Sequence, residues 1–316
     1  MNVPNIDTIR QAAERIQRLV HHTPVLTSAN LNKMVNAELL FKCENFQKVG
    51  AFKFRGASNA VFSLSEEEAK RGVATHSSGN HAAALTLAAK MRGITAYIVM
   101  PKTAPKVKKE AVAGYGAKIT FCEPTLQSRE STLEKVVAQT GAAFVHPYND
   151  YRIIAGQATV ALELLEAIRE LDIVMTPVGG GGLLSGTALS VSALSPSTAV
   201  FGAEPQGADD ACRSLKEGKI IPSVNPKTIA DGLLTSLGDK TFPIIQKYVT
   251  QIVTVSDEAT IAAMRYIWER MKIVVESSAS VPFGALLEKK IDIGGKRVGI
   301  IVSGGNVDLN NLPWLK

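Results

Sequence analysis

Apolar residues recur at helical spacing from the start of the chain, with Ile9, Ala13, Ile16 and Leu19 on one face of residues 7–20. Asp7 is placed to cap that helix, and Thr23 and Pro24 end it. Beyond it, apolar runs short enough for strands alternate with helical patterns. AELLFKCE precedes a helix through GASNAVFSL. GVATH precedes an alanine-rich helix ended by Gly93. TAYIVMP precedes KTAPKVKKEAVAGYG, and AKITFCEP precedes a helix over 127–141. A short strand then runs into HPYND. The helix IIAGQATVALELLEAIREL turns Ile154, Val160, Leu164 and Ile168 inward, and DIVMTPVGGGGLLSGTALSVSAL reads as strand, glycine loop and helix, with TAVFGAEP as the next strand. Residues 206–239 are irregular, with Asn225, Pro226 and Gly232 as loop formers. The helix DEATIAAMRYIWERM, an apolar helix near 282–289 and the strand KRVGIIVSGGN close the pattern.

The repeating unit is strand then helix, which predicts an α/β protein with parallel strands and right-handed crossovers. No repeat or low-complexity linker marks a boundary. Topology instead suggests a small inserted α/β domain over residues 66–146, with 1–65 and 147–316 forming the larger one.

Composition narrows the function classes. A hydrophobic share of 46% and a charged share of 20% over 316 residues suit a compact chain with one large or two moderate cores. The net charge of +6 comes from 35 basic residues spread along the chain, and the densest group, Lys102, Lys106, Lys108 and Lys109, is no longer than a solvated helix face. Nucleic acid is therefore not expected as a partner, whereas an anionic small substrate suits the balance. The three cysteines, at 43, 122 and 212, form no Cys-x-x-Cys pair, which argues against a disulfide framework or a zinc site. No run reaches the roughly 18 apolar residues of a membrane helix, and the first residues lack an apolar signal core. A cytoplasmic enzyme with no membrane partner is expected.

Candidate chemistry gathers at turns that follow strands. In CENFQKVGAFKFRGASNAV, Lys53 stands between Phe52 and Phe54, where desolvation would lower its pKa and make it an amine nucleophile; taken alone, it reads more readily as a surface lysine with a buried stem. Gly179, Gly180, Gly181 and Gly182 let backbone amides converge on an anion at a helix start. That loop suits a phosphate-bearing cofactor, a dinucleotide with Glu204 on its ribose, or a plain tight turn. Ser77, Ser78, Gly79, Asn80 and His81 offer donors for a carboxylate at a second such turn, or merely a helix cap, and Ser303 opens a third turn, SGGN. In a parallel sheet these turns collect at the carboxyl edge of the strands, where ligands bind.

GAFKFRGASNAV, SSGNHAAAL, VGGGGLLSG and IIVSGGN together resemble the four signature stretches of the fold-type II pyridoxal-phosphate enzymes, in the serine racemase and serine/threonine dehydratase group. The likeness runs from about residue 22 to 310. The blocks KCENFQ, TFCEPTLQSRE, FVHPYND and NLPW are most similar to bacterial 3-hydroxyaspartate dehydratases. The resemblance implies a tryptophan synthase β-like fold, with two open, twisted, mostly parallel sheets flanked by helices, and a homodimer. It implies that Lys53 binds pyridoxal 5'-phosphate covalently and takes the substrate's Cα proton, with Phe52 beside the cofactor ring. Asn80 would meet the phenolic oxygen, Gly179 to Gly182 with Leu183 the phosphate, and Ser303 the pyridine nitrogen. Ser77, Ser78, Asn80 and His81 would grip the α-carboxylate, and Ser78 leaves racemisation chemically open.

In EPQGADDA, Asp209 and Asp210 read alone as helix caps. The resemblance makes Glu204, the Ala208 carbonyl and Asp210 ligands of Mg²⁺, or Ca²⁺ or Mn²⁺. Arg129 matches an arginine that in serine racemases can meet the second carboxylate of a diacid, although its place beside Glu130 also suits a helix's first turn; His146 and Tyr148, beside the domain junction, are further candidate donors. Ala83 and the stretch ESSASVPFG from Glu276 depart from the common pattern, which weakens a transfer of threonine specificity. The expected activity is elimination of water from a β-hydroxy amino acid, foremost 3-hydroxyaspartate, with serine and threonine as further substrates. Serine racemase or serine/threonine dehydratase as main activity is the alternative. A NAD-dependent oxidoreductase and a non-catalytic cofactor carrier are the readings from other classes.

Overall fold

The computed structural model describes residues 2–77, 79–104 and 106–315, and the side chains of Val107 and Lys108 are also outside its description. The strands are β1 (Val25–Leu26), β2 (Glu38–Cys43), β3 (Val73–His76), β4 (Ala96–Pro101), β5 (Lys118–Cys122), β6 (Ala143–Phe144), β7 (Ile173–Pro177), β8 (Ala199–Pro205), β9 (Gln251–Val255) and β10 (Arg297–Val302). They form two sheets. One runs β1-β2-β10-β7-β8-β9 and the other β5-β4-β3-β6. All pairs are parallel except the short edge pair of β1 and β2.

The sequence reading placed the strand-to-helix turns at one sheet edge, but the structure divides them. β7 and β10 are neighbours in the six-stranded sheet, so the turns after them meet side by side. β3 lies in the smaller sheet, so its turn reaches the others from a different sheet, through hydrogen bonds of Asn80 to Glu276 and Asn306. Strand periodicity carries no information about which sheet a strand joins.

Helices cover both faces of the large sheet, which is why β7 is buried along its whole length and β10 from Val298 onward, rather than at alternate positions. Phe41 of β2 meets Phe283 of the helix Ser277–Leu287 edge to face, with ring centroids 6.1 Å apart. Such a pair contributes about 0.5–1.5 kcal/mol beyond its buried area.

The helix Lys53–Phe62 is buried from Phe54 to Val61. It crosses the helix Tyr151–Ala167 where Gly56 and Gly156 meet, and a Cβ on Gly156 would stand 2.6 Å from the Gly56 Cα. Two absent side chains therefore allow the close approach that seats the Lys53 helix.

Beneath that helix lies a buried ionic cluster. Arg55 donates from Nε and Nη2 to the two carboxylate oxygens of Glu44, each at 2.8 Å, and from Nη1 and Nη2 to Glu163 at 2.6 and 2.8 Å. Lys42 donates to Glu163 at 2.6 Å and to the Thr23 carbonyl at 2.7 Å. The side chains of Arg55, Glu44 and Lys42 are fully shielded from solvent.

Some local expectations change. The first helix spans Ile6–Ile16 rather than 7–20, and Asn5 caps it, its Oδ1 accepting the Thr8 N–H at 2.9 Å. Asp7 sits inside the first turn, where its charge faces the helix dipole. The helices Ala29–Val35 and Thr241–Tyr248 and strand β9 were not distinguished in the sequence. The two helices have seven and eight residues, too short to show a clear period. Cys43, Cys122 and Cys212 are free thiols. Among the described residues no helix is long and apolar enough to cross a membrane.

Candidate active site

Lys53 is the first residue of its helix, and the chain before it is pinned to the turn after β10. The Phe52 N–H donates to the Ser303 carbonyl at 3.0 Å, Ala51 bridges Gly304, and the Gly305 N–H donates to the Gly50 carbonyl at 2.9 Å. Gly50 has φ +67°, and a Cβ there would stand 2.7 Å from the Asn306 Oδ1, so glycine is required twice over. Lys53 Nζ lies 5.1 Å from the Phe52 ring centroid and donates to the Pro147 carbonyl at 2.9 Å. Burial pushes its pKa down to about 8, partly opposed by Glu276, so a free amine is accessible near neutral pH.

The glycine turn joins β7 to the helix Gly182–Leu194. Gly181 has φ +85°, and a Cβ there would press on Ile245 and Leu237 at 2.8 Å. The first amides of this buried helix have no intrahelical acceptor and are directed at the turn, while Leu183 packs behind it. Ser303 is buried beside it, after β10.

After β3, Asn80 opens the helix Asn80–Arg92. Its Nδ2 donates to both oxygens of Glu276, at 3.1 and 3.2 Å, and its Oδ1 accepts from Asn306 Nδ2 at 3.0 Å. The Asn306 N–H donates to Glu276 Oε2 at 3.1 Å. Glu276 therefore ties the third turn to the second, a role the sequence reading did not assign. The signal was present as ESSASVPFG, noted only as a departure.

Ser77 stands at the end of β3, where the Gly79 N–H lies 3.4 Å from its Oγ. Ser78, proposed for the α-carboxylate and for racemisation, lies outside the described residues. His81 follows Asn80 in the same helix. Its side chain is buried, its Nε2 is 3.3 Å from the Val145 carbonyl, and burial holds its pKa well below the usual imidazole value. A neutral ring facing a carbonyl is a poor carboxylate ligand, so any contribution of His81 to that grip comes through its backbone N–H in the first helical turn.

Arg129 belongs to the helix Leu126–Thr140, and its Nε is buried without a hydrogen-bond partner. Its charge is felt by His76 and Tyr148. His76 and His146 lie 6.3 Å apart between ring centroids, and His146 meets Tyr148 edge-on at 4.6 Å. Burial, His76 and Lys53 depress the His146 pKa to about 4. Its Nδ1 accepts the N–H groups of Tyr148 and Asn149 at 3.3 and 2.9 Å, so the neutral ring carries its proton on Nε2.

Glu204 ends β8, and its two oxygens accept the Ala211 and Cys212 N–H groups at 2.9 and 2.8 Å. Both oxygens are thereby turned to the helix Asp210–Glu217, which leaves the ribose role of a dinucleotide site unsupported. Burial raises the Glu204 pKa to about 8 and that of Asp210 to about 6. Both Asp210 oxygens are buried, with the Ser223 hydroxyl the nearby donor that opposes the rise. Among the described residues no three His, Cys, Asp or Glu side chains gather as a metal site. The Glu204, Ala208 and Asp210 set offers two carboxylates and relies on a backbone carbonyl.

Comparison with known proteins places these features. The family model described as pyridoxal-phosphate dependent enzyme matches residues 16–304. The chain is 53% identical over 314 residues to the β-hydroxyaspartate dehydratase of Paracoccus denitrificans (strain Pd 1222), covering 99% of this chain and 100% of that one. It is 48% identical to the L-threo-3-hydroxyaspartate ammonia-lyase of Saccharomyces cerevisiae, covering 100% and 97%. The crystal structure of serine racemase from Dictyostelium discoideum superposes with a TM-score of 0.93 at 49% identity, covering 96% of this chain and 99% of that one.

Proposed function

The chain belongs to the pyridoxal-phosphate dependent enzymes, and on that premise we propose that it dehydrates and deaminates a β-hydroxy amino acid, with 3-hydroxyaspartate preferred over serine and threonine. The residues fit the cofactor. Lys53 offers an amine with a pKa near 8, and the Gly179–Gly182 turn packs so closely on Leu233, Tyr148 and Ile245 that only glycines fit, which leaves its backbone amides as the donors an anion would meet. When bound, pyridoxal phosphate supplies an electron sink that lets the substrate's Cα–H bond break and its β-hydroxyl leave.

The chain's own groups do the rest. Lys53 takes the Cα proton, and the Pro147 carbonyl with the Phe52 face stabilises the resulting ammonium. Gly179 to Gly182 with Leu183 hold the phosphate, and Ser303 faces the pyridine nitrogen. Asn80, braced by Glu276 and Asn306, meets the ring's phenolic oxygen. Ser77, Ser78 and the first amides of the Asn80 helix hold the α-carboxylate. Loss of the proton and the hydroxyl leaves an enamine, whose imine tautomer hydrolyses to a keto acid and ammonia. From 3-hydroxyaspartate these are iminosuccinate and then oxaloacetate.

The observation that carries the substrate reading is the buried, unpartnered Nε of Arg129. A guanidinium with unused donors suits the distal carboxylate of 3-hydroxyaspartate, which serine and threonine lack. Removing one charge-assisted contact costs about 1.5–3 kcal/mol. Arg129→Ala should therefore lower kcat/KM for 3-hydroxyaspartate by about 10–100-fold and leave serine turnover nearly unchanged. The assay follows keto acid from 3-hydroxyaspartate stereoisomers, serine and threonine, and inverted serine in parallel. Equal loss on serine and on 3-hydroxyaspartate would refute the role of Arg129.

The buried Asp210 carboxylate, with only the Ser223 hydroxyl to ease its burial, beside buried Glu204 supports a divalent cation held by Glu204, the Ala208 carbonyl and Asp210, with Mg²⁺, Ca²⁺ or Mn²⁺ suited to oxygen donors. A cation at about 100 times its Kd stabilises by about 2.7 kcal/mol. EDTA is thus expected to lower the Tm of the wild type by several degrees but not that of Asp210→Asn, and an unchanged wild-type Tm would refute the site.

A homodimer in a reducing, cytoplasmic setting, with a small domain over 66–146, completes the proposal. It accords with the free thiols and with the four-stranded sheet lying inside that range.

A further inference from the structure

One segment touches both ends of the proposed cofactor site. Residues 146–149 join β6 to the helix Tyr151–Ala167, and the Pro147 carbonyl accepts Lys53 Nζ at 2.9 Å. The next residue, Tyr148, lies along the glycine turn. A Cβ on Gly180 would collide with its ring, and a Cβ on Gly182 would stand 3.0 Å from its Cβ. Two of the four glycines are therefore fitted to this side chain, a demand separate from the convergence of amides on an anion.

The tyrosine is itself held on several sides. Its ring meets His146 at 4.6 Å and 85°, and the same imidazole accepts its N–H. Its phenol is within hydrogen-bonding reach of Thr235. The loop after Thr235 returns to the same place. Asn149 donates to Asp239 at 2.6 Å and accepts the Lys240 N–H at 2.9 Å, while Thr241 Oγ1 donates to the Gly180 carbonyl at 2.9 Å.

We propose that Tyr148 is a positioning residue that braces the Gly180–Gly182 backbone, keeping the anion-binding amides at a set distance from the Lys53 amine. It acts through the turn and needs no contact with the reacting atoms. A smaller side chain would let the turn relax toward the vacated space, so its amides would lose their convergence. The phosphate would lose affinity while the aldehyde's reaction with Lys53 would not. The inference rests on the proposed roles of Lys53 and the glycine turn.

The test resolves the full-length protein from its cofactor and titrates it with pyridoxal phosphate and with phosphate-free pyridoxal. In the wild type, pyridoxal phosphate should bind far more tightly, and the ratio of the two affinities measures the phosphate grip. Tyr148→Ala should lower that ratio about ten-fold or more while pyridoxal binding changes less than about three-fold. Tyr148→Phe, which keeps the ring, should retain the ratio within about three-fold. A wild-type ratio near one would overturn the phosphate role of the turn and, with it, this proposal. A high wild-type ratio that persists in Tyr148→Ala, or equal weakening of both ligands, would overturn the bracing role alone. If the alanine variant does not fold, Tyr148→Leu replaces it, with the same ratio deciding.

Discussion

Lys53→Ala is expected to abolish the visible absorbance of lysine-bound cofactor and to lower turnover by about 10³-fold or more, because one amine is both the covalent anchor and the base. The geometry offers no substitute at that place. His81 is buried, neutral and turned to the Val145 carbonyl, and the His146 pKa lies near 4. The variant's fold should survive, since the ammonium's one hydrogen bond goes to the Pro147 carbonyl. Removing the lysine also removes a buried charge.

The depressed pKa adds a second signature. Free amine becomes the major form above about pH 8 rather than near 10.5, so capture of added cofactor by the stripped wild type should accelerate as pH rises through about 8 and then level off. Stopped-flow absorbance measures this. Retained colour and turnover in Lys53→Ala, or capture still rising steeply near pH 10, would overturn the role or the environment assigned to Lys53.

Arg55→Ala should produce the largest loss of stability. Its guanidinium makes forked contacts with both Glu44 and Glu163, inside a cluster where Glu44 and Lys42 have no access to water. Removing the arginine leaves Glu44 buried with one cation fewer. Breaking such a pair costs about 3–5 kcal/mol, or about 5–8 °C in Tm for a chain of this size. Arg55→Lys should recover part of this, since it restores the charge but not the fork. Because Arg55 is two residues from Lys53 on one helix, cofactor affinity should fall with stability. A Tm within about 2 °C of wild type in thermal unfolding would show that the cluster relaxes or takes in water.

Much of this molecule was legible in order along the chain. Strand-then-helix alternation carried the α/β class, and the glycine and serine turns after β3, β7 and β10 were visible as composition. Lys53 stood out by its aromatic neighbours and its company of turns. Arg55 did not, although it lies two residues away, because a charged residue in a helix looks the same whether it faces water or a buried carboxylate. Glu276 was hidden for a similar reason. Its partners Asn80 and Asn306 are 196 and 30 residues away, and no local pattern joins them. The His81 ring faces the Val145 carbonyl, a partner 64 residues away that no local pattern announces.

What the sequence determined alone is therefore local and periodic: which stretches become strands and helices, and which turns lack the side chains that would obstruct an anion. Hydrophobic period and glycine placement act within a few residues, so one chain suffices to read them. Only the tertiary structure decided that the turns divide between two sheets, that Pro147 touches Lys53 and Tyr148 the glycine turn, and that Arg129 keeps an unused donor. Those facts depend on long-range packing and on which groups lose water together, and burial sets the pKa values on which the chemistry runs.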